Sequence, residues 1–178
     1  MRSVIFAAAL ALLAVPAPAF AADEATLGCV ADGATPAARA EVERYVRGMF
    51  GEADGDAQQA VTGLDAASRV CAKRHGWSDN ARKGAIAYTM ATLGLETASE
   101  ELRKHGSDPV RFTELFNELP QSLRENVPSG DVPPEFEAMM EKAWSEGLLP
   151  DEAAQQAATQ FLALLFIRDI GLAAFRAG

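Results

Sequence analysis

The two cysteines carry the most reactive side chains in this sequence. Cys29 and Cys71 are its only cysteines, and His75 follows Cys71 at the spacing of one helical turn. A thiolate beside an imidazole can act as a nucleophile or as part of a metal site. Redox-active cysteine pairs typically stand close in sequence, as in Cys-x-x-Cys, and these two do not. We therefore expect a structural disulfide between Cys29 and Cys71, which would remove Cys71 from both kinds of chemistry.

The beginning of the chain predicts a compartment in which thiols oxidise. Arg2 precedes an uninterrupted apolar run at residues 4–15, and Ala19-Phe20-Ala21 places small residues where a signal peptidase reads them. The run is too short for a membrane span, which needs roughly 20 residues. We expect residues 1–21 to be a signal peptide cleaved after Ala21, and residues 22–178 to be the periplasmic or secreted protein.

Arg168 is a charged residue in an otherwise apolar helical stripe. Helical spacing aligns it with five large apolar residues, namely Phe161, Leu164, Leu165, Leu172 and Phe175. Either the arginine extends to water or pairs with a carboxylate, or it anchors an anion or other ligand inside a helical pocket. Arg168 is therefore a candidate for a buried charge or a ligand contact.

The acidic residues show ordinary helical spacing and no specific catalytic motif. Glu96 and Glu100 are four apart, as are Glu137 and Glu141, which is common on solvated helices. Asp54-Gly55-Asp56 resembles the start of a calcium loop, but the later positions of that loop do not match. The sequence contains no phosphate-binding glycine loop and no Gly-x-Ser-x-Gly elbow. We predict no metal and no cofactor, and no catalytic residue is identified.

The charge balance argues against nucleic acid as a partner. The chain has 16 basic and 25 acidic residues, for a formal charge of −9, and loss of Arg2 with the signal peptide would make it −10. Binding a phosphate backbone needs clustered Lys and Arg. Residues 108–152 are the most acidic, with eleven Asp and Glu against three Arg and Lys. That segment is either a solvated surface or a docking surface for something basic.

Turn and cap signals divide the exported chain into about six helices. The expected helices begin near Pro36, Asp56, Ser78, Pro109, Pro134 and Asp151, with a short extra turn possible after Pro120, and no run alternates as a strand does. The first half of the third helix is apolar nearly all round, which is typical of a central helix. We expect an all-α, single-domain bundle with one disulfide.

The last predicted helix contains the most apolar part of the exported chain. Its continuous apolar run covers only residues 161–167. We therefore expect a buried core helix or a homo-oligomer interface, and no transmembrane segment in the exported chain.

Two functions of different classes fit these observations. The first, which we favour, is a non-enzymatic exported module that binds an unidentified protein partner, or an apolar small ligand between the third and last helices. The alternative is a hydrolase-like periplasmic enzyme that uses carboxylates in a concave cluster with shifted pKa values.

Overall fold

The computed structural model describes residues 22–51, 54–126 and 132–178. The predicted signal peptide, residues 1–21, and part of the proline-rich connection at residues 127–134 lie outside the described residues. Within these ranges the chain forms eight α-helices and one 3-10 turn, and no strand. The all-α, single-domain prediction is confirmed, with slightly more helices than the six expected.

Two helical elements at the start of the described chain are additional to the six predicted helices. A 3-10 turn spans Glu24–Thr26, and a short helix, α1, spans Cys29–Gly33. The side chain of Asp23 caps the turn by accepting a hydrogen bond from the backbone N–H of Ala25 at 3.0 Å. Neither element was predicted from the sequence, because five residues are too few to show a helical apolar period.

The three helices that follow begin and end close to the predicted positions. They are α2 (Pro36–Met49), α3 (Ala57–His75) and α4 (Asp79–Lys104). Thr35, Asp56 and Ser78 cap them by accepting hydrogen bonds from backbone N–H groups of the first turn. The sequence located these ends well because cap chemistry is local.

The second half of the bundle also follows the predicted order. It consists of α5 (Pro109–Glu118), α6 (Gln121–Arg124), α7 (Pro134–Ser145) and α8 (Glu152–Arg176). Proline occupies the first position of α5 and of α7, where its missing N–H costs no hydrogen bond. The short helix α6 is the extra turn expected after Pro120.

The central pair of the bundle is α4 and α8, which approach until their backbones touch. A Cβ added to Gly84 would lie 2.5 Å from the backbone nitrogen of Phe175, and one added to Gly171 would lie 2.6 Å from that of Tyr88. Glycine is therefore required on both helices at this crossing. The contact leaves no space for a small ligand between the two helices at this level.

The buried side chains form two clusters along this central pair. The first, which we call the disulfide cluster, surrounds Cys71 and is rich in alanine; its larger members include Leu27, Val30, Leu64, Trp77 and Phe175. The second, which we call the aromatic cluster, joins α5 and α7 to the middle of α8. Its members include Phe112, Leu115, Phe116, Met139, Phe161 and Leu165. Both α4 and α8 contribute to each cluster, so one continuous scaffold connects them.

The last helix is longer and more apolar than the seven-residue run indicated. Within the described part of the chain, α8 alone has the length and composition to cross a membrane, with an 18-residue window of mean hydropathy 1.5. Of that window, 44% is buried inside the protein. Phe161, Leu164 and Leu165 are almost completely covered by neighbouring helices. These residues place part of α8 in the core of the bundle.

Candidate functional site

The predicted disulfide is present and ties α1 to α3. Cys29 and Cys71 are bonded, with their Cα atoms 5.9 Å apart and a separation of 42 residues in sequence. The bond lies beside an open groove of about 660 Å³ between the N-terminal segment and α3. Small residues form most of the groove, among them Gly28 and Ala67. Because both sulfur atoms are bonded, neither is a thiol nucleophile in this state.

The two histidines occupy helix ends. His75 is the last residue of α3, and its ring stacks on Trp77 with the centroids 5.6 Å apart. His105 is the C-terminal cap residue of α4. Among the residues that the structure describes, no group of three or more His, Cys, Asp or Glu is arranged to hold a metal ion.

Arg168, the candidate charge in the apolar stripe, is ion-paired and about one fifth exposed. Its side chain retains 22% exposure, and its Nη2 lies 2.8 Å from Oδ1 of Asp169. Asp169 is the more deeply buried partner, with 7% of its side chain exposed. The other oxygen of Asp169 accepts a hydrogen bond from Arg124 of α6. The geometry is that of an arginine paired with a carboxylate, one of the two interpretations that the sequence left open.

A second set of ion pairs, made by Arg176, joins α8 to the 3-10 turn. Arg176 donates to Glu24 at 2.7 Å and to Glu125 at 3.2 Å. Together with Asp169, Arg124 and Arg168, these residues make three positive and three negative charges, so their formal charges cancel. We interpret these six residues as ion-pair contacts that hold the N-terminal segment, α6 and α8 together.

Several carboxylates are held in their ionised form by arginines. A hydrogen bond from Arg176 lowers the pKa of Glu24, and one from Arg111 lowers the pKa of Glu146. The pKa of Asp65 is also lowered, mainly by its hydrogen bond from Arg69. A general acid needs a carboxyl whose pKa is raised toward neutrality. These three carboxylates are shifted in the opposite direction, so their surroundings suit ion pairing.

Among the Phe, Tyr and Trp residues that the structure describes, the most exposed one lies on α7. Trp144 is 60% exposed, whereas Trp77 is buried. Phe136 and Met140 precede Trp144 by two turns and one turn, and both are only partly buried against the aromatic cluster. The spacing of four puts the three side chains on one side of the helix. We call Phe136, Met140 and Trp144 the α7 strip.

The α7 strip continues onto α8 and has acidic neighbours. The ring of Phe136 lies 6.1 Å from the ring of Phe166, which is itself only partly buried. Glu137 and Glu141 follow two members of the strip by one position, and both are exposed. The sequence did not single out Trp144, because its position in a short amphipathic helix is equally compatible with burial.

Comparison of the chain with protein-family models, curated proteins and solved structures finds no significant match.

Proposed function

We propose that this chain is an exported protein-interaction module, with the α7 strip as its recognition surface. The single observation that carries the proposal is the 60% exposure of Trp144 next to two partly buried apolar side chains. Exposed aromatic residues beside apolar surface are typical of interaction sites, and tryptophan is enriched among residues that dominate binding energy.

Export is part of the proposal and rests on two observations. The Cys29–Cys71 disulfide is typical of proteins in oxidising compartments. The first 21 residues have the charge, apolar run and small-residue ending of a cleaved signal peptide. Together they favour a periplasmic or secreted protein.

A protein partner fits the structure better than an apolar small ligand. The ligand was expected between the third and last helices, here α4 and α8, where backbone contact at Gly84 and Gly171 leaves no space. The enzymatic alternative needs a concave carboxylate cluster with shifted pKa values. The resolved pKa shifts in the described carboxylates are downward, and the largest cause of each is a hydrogen bond from an arginine. The α7 strip is a surface feature, which suits a macromolecular partner.

Site-specific photo-crosslinking in cells that export the protein tests the proposal. A photoreactive phenylalanine analogue would replace Trp144 in one strain. In the control strain it would replace Val70, which is 58% exposed and lies on α3, the helix that carries Cys71 of the disulfide. We expect a discrete crosslinked protein at position 144, identified by mass spectrometry and recovered again when that partner is purified. Equal crosslinking at both positions, or none at position 144, would contradict the proposal.

A further inference from the structure

We propose that the α7 strip binds a basic amphipathic helix of a partner protein. This inference rests on the proposed function and adds the chemistry of the partner. It follows from three features of the same surface: the spacing of its apolar side chains, the sign of the charges beside them, and the internal pairing of the nearby basic residues.

The apolar side chains have the spacing that helix recognition uses. Phe136, Met140 and Trp144 recur every four residues on α7, and Phe166 of α8 adjoins Phe136. Eight residues of helix separate Phe136 from Trp144, which is about 12 Å at 1.5 Å per residue. An amphipathic partner helix can place apolar residues one turn apart over a surface of this length.

Unpaired carboxylates lie beside the strip. Glu137 and Glu141 are exposed, and they form no ion pair with any residue that the structure describes. By helical spacing they occupy the side of α7 next to Met140 and Trp144. A partner that covers the strip would bring its own charges close to these two glutamates.

The basic residues of the acidic segment are already used inside the fold. In residues 108–152 the three basic side chains are each held by carboxylates. Arg111 pairs with Glu146 and Glu114, Lys142 with Glu118, and Arg124 with Asp169. None of these three cations is left to neutralise Glu137 and Glu141, so the strip lies in a negative field.

The negative charge beside the α7 strip determines which kinds of partner can cover it. A second copy, related by two-fold symmetry, would bring the same carboxylates to the interface, and like charges would repel. An anionic membrane surface and a nucleic acid would be repelled for the same reason. A basic helix is attracted, and its Lys or Arg can also lie over the exposed face of Trp144. We therefore assign the surface to a basic partner.

Binding of designed peptides tests the inference with a defined probe. The probe is a synthetic Lys/Leu helix of about 14 residues, and its match is a Glu/Leu helix of the same length and pattern. Protection of Trp144 from acrylamide quenching would report binding, because Trp77 is buried. We expect the Lys/Leu helix to bind and the Glu/Leu helix not to bind, with affinity falling as salt is raised.

Two charge-reversal variants separate a local site from general acidity. Glu137→Lys with Glu141→Lys reverses the charges beside the strip. Glu96→Lys with Glu100→Lys makes the same change at the same spacing on exposed positions of α4. We expect the first pair to weaken Lys/Leu binding at least about tenfold and the second to change it by no more than about threefold. Equal weakening by both, or weakening by neither, would overturn the inference.

The outcomes distinguish this inference from the proposed function. If crosslinking at position 144 captures a partner but that partner binds equally well at high salt and to the Glu137→Lys/Glu141→Lys variant, the module has a docking surface and the basic-helix assignment is wrong. If the purified protein forms a dimer through α7, or binds anionic vesicles in place of the Lys/Leu helix, a second copy or a membrane is the occupant.

Discussion

The disulfide cluster and the aromatic cluster are packed in different ways. Around Cys71 the helices meet through alanines and glycines, so their backbones lie close together. Around Phe116 the helices meet through bulky aromatic and leucine side chains, and Phe136, Met140 and Phe166 at the edge stay partly exposed. Close backbone packing at the α4–α8 crossing leaves no space between the two helices, whereas the bulky packing leaves an apolar edge that another protein can cover. The difference indicates a scaffold at one part of the bundle and a recognition surface at the other.

Within the scaffold, the largest expected effect is that of losing the disulfide. Replacing Cys29 and Cys71 together by alanine frees a loop closed across 42 positions. In the chain-entropy model this lowers the free energy of unfolding by about 4 kcal/mol. Denaturant unfolding of the variant and of the wild type measures the difference. Similar unfolding midpoints would show that the N-terminal segment is held without the bond.

A methyl group at the α4–α8 crossing is expected to have the next largest effect. Gly84→Ala forces a Cβ to within 2.5 Å of the backbone of Phe175, so the helices must move apart. We expect a loss of more than about 2 kcal/mol in the free energy of unfolding. Gly28→Ala is the matched control, since a Cβ there meets no atom within 4 Å. Comparable losses in both variants would contradict the close packing described for the central pair.

Removal of the buried charge at Asp169 should have a moderate effect. Asp169→Asn keeps the shape of the side chain but leaves Arg124 and Arg168 without their shared carboxylate. Because both arginines remain partly solvated, we expect a loss of about 1 to 3 kcal/mol in thermal or chemical unfolding. Glu114→Gln removes an exposed carboxylate from Arg111 and should cost less than about 1 kcal/mol. If Asp169→Asn costs as little as this control, the ion pairs of Asp169 contribute no more than exposed surface pairs do.

The smallest expected effect on stability is at Trp144. Truncation to alanine removes a side chain that is mostly in water, so we expect a change below about 0.5 kcal/mol. Phe116→Ala, which empties a fully buried position of the neighbouring cluster, should cost about 3 to 5 kcal/mol. If Trp144→Ala destabilises the protein as Phe116→Ala does, Trp144 belongs to the core and the comparison between the two clusters loses its basis.

Helix positions were predictable from the sequence, whereas the contacts between helices were not. Thr35, Asp56 and Ser78 mark helix starts through bonds made within one turn, so local sequence is sufficient. The predicted export of the chain, and a distance between the two cysteines in sequence that does not fit a redox pair, also indicated the Cys29–Cys71 bond. By contrast, Gly84 and Gly171 look like ordinary small residues until α4 and α8 are brought together.

The candidate site depended on tertiary contacts that a single sequence does not contain. Arg168 was conspicuous because it is a charge in an apolar stripe. The sequence does not show that Arg124, 45 residues before Asp169, shares this carboxylate with Arg168. Trp144 lies on the same side of α7 as Phe136, so its helical spacing alone is compatible with similar packing. Whether it is covered depends on which neighbouring element reaches it, and in the described structure it is left exposed.

Hydrogen–deuterium exchange with and without the Lys/Leu helix tests the central claim most directly, because it follows both parts of the bundle in one experiment. We predict slower exchange in α7 and in the segment of α8 around Phe166 on adding the peptide, with α3 unchanged. Protection of α1 and α3, or uniform exchange at a saturating peptide concentration, would contradict the division into a disulfide-held scaffold and an acidic docking surface.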